Sequence, residues 1–407
     1  MHSIKPGSEF QKLWAATAIS NLGDGVILVA TPLLAAEFTH DPALVAGVSL
    51  ARHVPWLLFA LVSGVLADRF DRRRAMALAA CVRGVLVGTL ALATIVHTGS
   101  LPLLYGVVFL ISTGETLFDI TATTLVPAVV APERMPRAYA QLAGARTVAN
   151  LFVGPPLGGL LFGVSPALAF GLGAMSLLLA GGLVLRLRGV GCAPVERTRH
   201  LTADSVEGVR WLWQHRLLRT ISLTSAPLNM TLVAQNSIIV LFAQQRLGLD
   251  AAGFGALVSV YGFGGIVGSL VAERAVAWLG MSRGLRLAVL IETAYPAAFV
   301  LSSTPLQAGM VFALFGVHAV VFGALTSALQ QELTPPALRG RIESAARFIE
   351  HGSTAPGALL GGVVASNVGL GAPFWLGTAT GLVLIPLVWH TFSARVIDEA
   401  RRDALTR

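Results

Sequence analysis

The chain has 407 residues, of which 55% are hydrophobic and only 12% are charged. A soluble chain of ordinary composition carries about 25% charged residues, so there is too little polar surface here to coat a globule. A chain that crosses a membrane many times is the reading that remains. The formal net charge of +8 does not indicate nucleic acid, because the arginines sit in short turns between apolar stretches and form no basic face.

A helix rises about 1.5 Å per residue, so roughly 20 apolar residues cross the bilayer core. On that measure twelve spans are expected. They lie near 13–37, 42–67, 75–97, 101–129, 137–163 and 166–187, then 217–244, 250–272, 285–303, 306–331, 342–366 and 371–393. The first stretch is too long, and too interrupted by Gly and Asp, for a secretory leader, and stays as the first span. Asp24 lies about 11 residues into it, roughly 16 Å deep. Arg52 lies near mid-depth in the second span.

Between the second and third spans the chain reads Gly64-Val65-Leu66-Ala67-Asp68-Arg69-Phe70-Asp71-Arg72-Arg73-Arg74. Gly64 allows a neighbouring helix to come close. Asp68 ends a helix, where an anion is unfavourable unless paired. With Arg69, Arg72 and Arg73 it has the make-up of a charged latch, closed in one conformation and open in another. The plainer alternative is a cluster of arginines that only sets topology.

Arg83 and Cys81 lie in the third span. The fourth carries Glu115 and, one turn further on the same face, Asp119. Charges inside a bilayer are costly and mark sites by default. A carboxylate in such surroundings is the equipment of a proton-coupled carrier. The alternative is that each acid is a paired structural charge, with Arg52, Arg83 and Arg146 as counter-ions. Arg146 belongs to the fifth span, which also holds Gly154-Pro155-Pro156-Leu157-Gly158-Gly159. Proline removes a backbone donor and small residues permit close packing, so this segment is expected to bend or seal. Ordinary small-residue packing is the alternative.

Residues 188–216 are the longest polar stretch and divide the spans six and six. The expected domains are therefore a six-helix bundle at 1–187, a cytoplasmic linker at 188–216, and a second six-helix bundle with a C-terminal tail at 217–407. Val206, Val209 and Trp213 at helical spacing point to a short amphipathic helix on the membrane face. The second half carries Asn229, Gln235 and Asn236 in span 7 and His318 in span 10. Glu343, Arg347 and Glu350 have the spacing of a salt-bridge network in span 11.

The halves read as copies. Residues 154–159 match Gly357-Ala358-Leu359-Leu360-Gly361-Gly362 at an offset of 203, and Ala67-Asp68-Arg69 falls on Ala272-Glu273-Arg274 at an offset of 205. Internal repeats are a transporter architecture. One set of loops holds Arg69, Arg72, Arg73, Arg74, Arg134, Arg137, Arg274, Arg283, Arg286, Arg339 and Arg341. The opposite set holds Arg246 alone, which places the first set and both termini in the cytoplasm. Cys81 and Cys192 make neither a disulfide framework nor a metal site. No zinc-protease, phosphate-loop or nucleophile-elbow motif is present, so neither an enzyme, a metal nor a cofactor is expected.

The pattern Gly64-x-x-x-Asp68-Arg69-x-x-Arg72-Arg73 resembles the loop 2–3 signature of the major facilitator superfamily, with Asp71 where glycine is common. Its Asp-Arg-x-Asp-Arg-Arg form is similar to the bacterial branch of enterobactin-exporter-like and macrolide-efflux-like proteins. Pro55-Trp56-Leu57-Leu58, Gly208-Val209-Arg210-Trp211-Leu212-Trp213 and Leu338-Arg339-Gly340-Arg341 resemble that branch too. The resemblance implies an all-α integral membrane protein, with twelve helices in two pseudo-symmetric six-helix bundles. It implies a central cavity lined by spans 1, 4, 7 and 10, hence by Asp24, Glu115, Asp119, Asn229, Asn236 and His318, with Arg52 near it. The Gly154–Gly159 element is similar to one found in exporters that run as antiporters, with Asn150 where a further glycine is usual. Many superfamily antiporters use an arginine in span 4, and none is there.

The expectation is a monomeric, multi-pass transporter of the bacterial inner membrane, with lipid, protons and a small molecule as its partners. Proton flow would drive export of an amphiphilic or hydrophobic compound such as a drug, siderophore or natural product. The alternative is a proton-coupled importer of a nutrient on the same fold.

Overall fold

The computed structural model describes residues 6–69, 71–188, 210–335 and 338–405, without the side chains at 6, 7, 59–69, 339–341, 343, 344, 347 and 403–405. Among the described residues there is no strand. The helices are α1 (Pro6–Phe38), α2 (Pro42–Arg69), α3 (Arg72–Ile95), α4 (Leu101–Val129), α5 (Met135–Arg146), α6 (Gly154–Val164) and α7 (Pro166–Leu185), followed by α8 (Arg216–Gln245), α9 (Ala251–Val300), α10 (Pro305–Leu333), α11 (Arg339–Gly352), α12 (Thr354–Val368), α13 (Ala372–Thr391) and α14 (Ala394–Leu405). Among the described residues nine helices are long and apolar enough to cross a membrane. One of them, α9, is 50 residues long and contains two crossings that meet at Gly280, whose φ of 67° only glycine adopts freely. With α2 and the α11–α12 pair, every one of the twelve expected spans falls on helix.

Helices dominate because a backbone in lipid must satisfy its own hydrogen bonds. Polar side chains inside the spans do the same. Thr17 donates to Leu13 O and Thr31 to Ile27 O, each at 2.9 Å, and Thr224 donates to Thr220 O at 2.7 Å. Large apolar residues such as Leu92, Val164, Leu314 and Val383 are exposed, which suits a surface that meets lipid.

The chain forms two compact units. The first comprises Met1–His40, Ala51–Glu196 and Gly248–Gly262, the second Asp41–Leu50, Arg197–Leu247 and Phe263–Arg407. Thus the first turns of α2 belong with the second unit, and the first turns of α9 with the first. In the first unit, Leu13, Met76, Phe118, Leu125, Leu142 and Val184 build one core from α1, α3, α4, α5 and α7. In the second, Leu217, Leu285, Leu329, Val388 and Ile397 build another.

The repeated glycine motif has the same packing role in both units. In the first, a methyl group at Gly154 would lie 2.6 Å from Gly25 Cα, and one at Gly158 would lie 2.7 Å from Val26 O of α1. In the second, Gly357 and Gly361 press on the Met230 and Ala234 backbone of α8, and a methyl at Gly362 would lie 2.9 Å from Ala43 Cα. Small residues are required because the neighbouring helix backbone, and at Gly362 also the Ala46 methyl, leaves no room for a side chain there.

Several details depart from expectation. The fifth span is not one bent helix: a π-helical segment, Thr147–Val153, leads into α6, whose first turn carries the proline pair. The wider π turn relieves the clash of a proline ring with the preceding carbonyls. Ala272-Glu273-Arg274 lies within α9 and not in a loop, since the helix continues to Gly280. The C-terminal segment, expected as a tail, is helix α14, with Ile397 buried and Arg401 paired to Glu332 at 2.9 Å. Of the expected amphipathic helix, residues 210–214 are helical, while Val206 and Val209 lie outside the described residues.

Candidate functional site

The first unit gathers three acid–arginine pairs. Arg83 of α3 donates from Nη2 to Asp24 Oδ1 of α1. Arg52 Nη2 of α2 stands 3.6 Å from Glu115 Oε1 of α4. Arg146 Nη2, at the end of α5, stands 2.6 Å from Asp119 Oδ2, one turn along α4 from Glu115. Every arginine that the sequence offers as a counter-ion takes one acid.

The pairs differ in access. Asp24 and Arg83 are 6% and 2% exposed, Glu115 and Arg52 are 21% and 27%, and Asp119 and Arg146 are 19% and 54%. The series runs from a sealed pair to an accessible one. Glu115 and Asp119 lie within electrostatic reach of Asp24, and Arg83 within reach of both acids on α4. Arg83 reaches Asp24 by passing over α4 at Gly114, where an added methyl would lie 2.7 Å from Arg83 Cγ. Its Nε and Nη1 are buried and have no hydrogen-bond partner among the described residues. A guanidinium offers five donors, so this one has spare capacity toward its neighbours.

The Asn150 departure has a structural account. Its Nδ2 donates to Asn21 Oδ1 of α1 at 3.4 Å, one turn before Gly25. The glycine element and this amide pair thus grip α1 just beside Asp24.

The second unit holds a cavity of ≈ 260 Å³ lined by Ser222 and Asn229 of α8, Glu292 of α9, Phe315 and Phe322 of α10, and Glu350 of α11, among others. Asn229 Nδ2 donates to Glu350 O at 2.8 Å. His318 Nε2 is 2.8 Å from Glu292 Oε2. Asn236, two turns further along α8, is exposed and outside this cavity, whereas Gln235 is buried with an Oε1 that lacks a partner. Glu292 escaped the sequence reading, although an acid amid Leu-Ala-Val-Leu-Ile was signal enough.

Of the expected latch, the side chains of Gly64, Asp68 and Arg69 lie outside the described residues. Arg73 donates to Leu185 O at the end of α7, a carbonyl terminus that favours a cation. Arg72 makes its own contact. Asp71, where glycine is common, caps α3 by accepting from Arg73 N at 3.0 Å and Arg74 N at 3.2 Å. The Glu343–Arg347 part of the expected network also lies outside the described side chains. Among the described residues no His, Cys, Asp or Glu cluster has the make-up of a metal site.

Residues 6–407 match the family model of transmembrane secretion effectors. The chain is 27% identical over 412 residues to the multidrug efflux pump Tap of Mycobacterium tuberculosis, covering 95% of each chain. It is 27% identical over 402 residues to the putative bacilysin exporter BacE of Bacillus subtilis, covering 97% of this chain and 98% of that one. Among solved structures, a bacterial homologue of the iron transporter ferroportin in its inward-facing state aligns with a TM-score of 0.74 at 16% identity, covering 97% of this chain and 100% of that one. The nucleoside transporter NupG aligns with a TM-score of 0.72 at 14% identity, covering 95% and 99%. The chain therefore belongs to the transmembrane secretion effectors, multi-pass transporters with the major facilitator fold.

Proposed function

We propose that this transmembrane secretion effector is a proton-driven exporter of small amphiphilic compounds, drugs or natural products, in the plasma membrane of a bacterium. The names of its relatives, an efflux pump and an exporter, support the direction. The observation that carries the mechanism is the graded set of carboxylates in the first unit. A proton enters at Asp119 or Glu115, where access is greatest, and moves toward Asp24. Each carboxylate is balanced by one guanidinium, so the cluster is close to neutral at rest and each added proton leaves an arginine unmatched. In low dielectric that imbalance costs enough to bias a conformational equilibrium. Arg83 takes the part that a span-4 arginine has elsewhere in the superfamily: on protonation of Asp24, its spare donors turn to Glu115.

Export follows if protonation and substrate shift the same equilibrium between two accessible states, so that each changes the affinity for the other. In this reading the chain acts as a monomer with both termini in the cytoplasm, and it catalyses no covalent chemistry. The six-span halves, 1–187 and 217–407, are its working domains. Arg72, Arg73 and the Gly64–Arg69 segment form the conformational latch, and Gly154–Gly159 the close-packed seal against α1.

The test is accumulation of a compound panel in an efflux-deficient bacterium that expresses the chain, with and without a proton uncoupler. Lower accumulation of at least one compound, reversed by the uncoupler, is expected. No compound expelled, or expulsion indifferent to the uncoupler, contradicts the proposal.

A further inference from the structure

We propose that the cavity of the second unit binds the positively charged end of an amphiphilic substrate, with Glu292 as its counter-charge and the rings of Phe315 and Phe322 beside it. This rests on the exporter reading and names the chemical class that such an exporter would carry.

Glu292 lies in the second crossing of α9, where an acid is expensive and needs a reason. Its Oε2 faces His318 Nε2 at 2.8 Å. Its Oε1 has no donor among the described residues. The carboxylate is 15% exposed and lines the cavity, while His318 is 4% exposed and does not. The imidazole is fixed from both sides, stacked on Phe315 at 5.5 Å and on Phe322 at 5.8 Å between ring centroids. One oxygen is thus anchored by a held histidine and the other is left for an occupant.

The described lining contains two acids, Glu292 and Glu350, and no lysine or arginine; the Arg347 side chain lies outside the description. An anion entering this cavity meets two carboxylates. A neutral amphiphile strips water from Glu292 Oε1 and gives nothing in return. A cation pairs with Glu292 and lies against aromatic faces, which attract it through their quadrupoles. At ≈ 260 Å³ the cavity takes a cationic head with a ring or two and leaves a longer apolar part outside.

The test uses the full-length chain in lipid nanodiscs and ethidium, a permanent cation, against hydroethidine, its uncharged reduced form. Ethidium should bind saturably, and hydroethidine at least about tenfold more weakly. Glu292→Gln should weaken ethidium by about tenfold or more and remove the difference between the two, while Glu292→Asp retains it. Equal binding of the two compounds, or an ethidium affinity indifferent to Glu292→Gln, overturns the proposal. If the Gln variant does not fold, the ethidium–hydroethidine comparison on the wild type and on Glu292→Asp decides alone. A chain that binds ethidium through Glu292 yet expels nothing from cells fails the exporter reading only. A chain that exports with proton dependence but binds both compounds alike fails this proposal only.

Discussion

Asp24 and Arg83 are both nearly sealed in the first unit, and that has a thermodynamic consequence. Removing one partner of a buried pair leaves the other charged and uncompensated, which costs about 3–5 kcal/mol. Asp24→Asn and Arg83→Met should each lower the thermal unfolding midpoint in detergent, and the double variant should regain most of the loss. Transport should not return in the double variant, because the proton site is gone. Equal loss of stability in the double variant would mean that the two side chains are not coupled. Gly114→Val belongs to the same scale. It places side-chain atoms where Arg83 crosses α4 and should cost about 1–3 kcal/mol by overpacking, read from the same unfolding curve.

At this scale the acids were legible in the sequence, since Asp24, Glu115 and Asp119 interrupt long apolar runs. Their pairing was not. Arg83 is 59 residues from Asp24, and no periodicity connects positions on separate helices. Glu292 is as legible as they are, an acid inside an apolar run, but it lies in span 9, outside the set of helices that the resemblance assigns to the central cavity.

Among elements, the junction between α2 and α3 shows how one residue serves two readings. Asp71 departs from the common glycine, and the departure first serves to narrow the resemblance. In the structure it is the N-cap of α3. Asp71→Ala should therefore cost about 1 kcal/mol, and Asp71→Asn, an equally good cap, close to nothing. Thermal unfolding of the two variants distinguishes a cap from a charge: if Asn is as damaging as Ala, the carboxylate charge matters and the cap does not.

The span 5 segment teaches a similar lesson. Its glycines and prolines announced a special helix, but not a π-helical stretch at Thr147–Val153. That geometry depends on how α5, α6 and α1 compete for the same space. Gly158→Leu should push α6 off Val26 of α1 and abolish transport, with the protein still detected in the membrane. Wild-type transport by that variant would remove the seal from the account. Helix α14 was illegible for a different reason. A hydropathy measure sees Arg395, Asp398, Glu399, Arg401 and Arg402 as a polar tail. Burial of Ile397 and the Arg401–Glu332 pair, which hold the helix to its unit, appear only in three dimensions.

For the whole molecule, the architecture was the most legible part. Twelve apolar stretches of the right length leave few alternatives once backbone hydrogen bonds must close inside lipid. The duplicated glycine motif, faint as sequence, proved to be the same backbone-to-backbone contact in both units. The cargo was the least legible. It depends on which polar groups border a cavity, and those come from four helices far apart in the chain.

The central claim is that a proton gradient, sensed by the carboxylates of the first unit, drives substrate across the membrane. The most direct measurement is ethidium flux in proteoliposomes carrying the wild-type chain or Asp24→Asn, with an imposed pH gradient. The account predicts ethidium movement opposite to proton flow in the wild type, its collapse on adding an uncoupler, and its loss in Asp24→Asn. Flux of equal size without a gradient, or undiminished gradient-driven flux in Asp24→Asn, would contradict it.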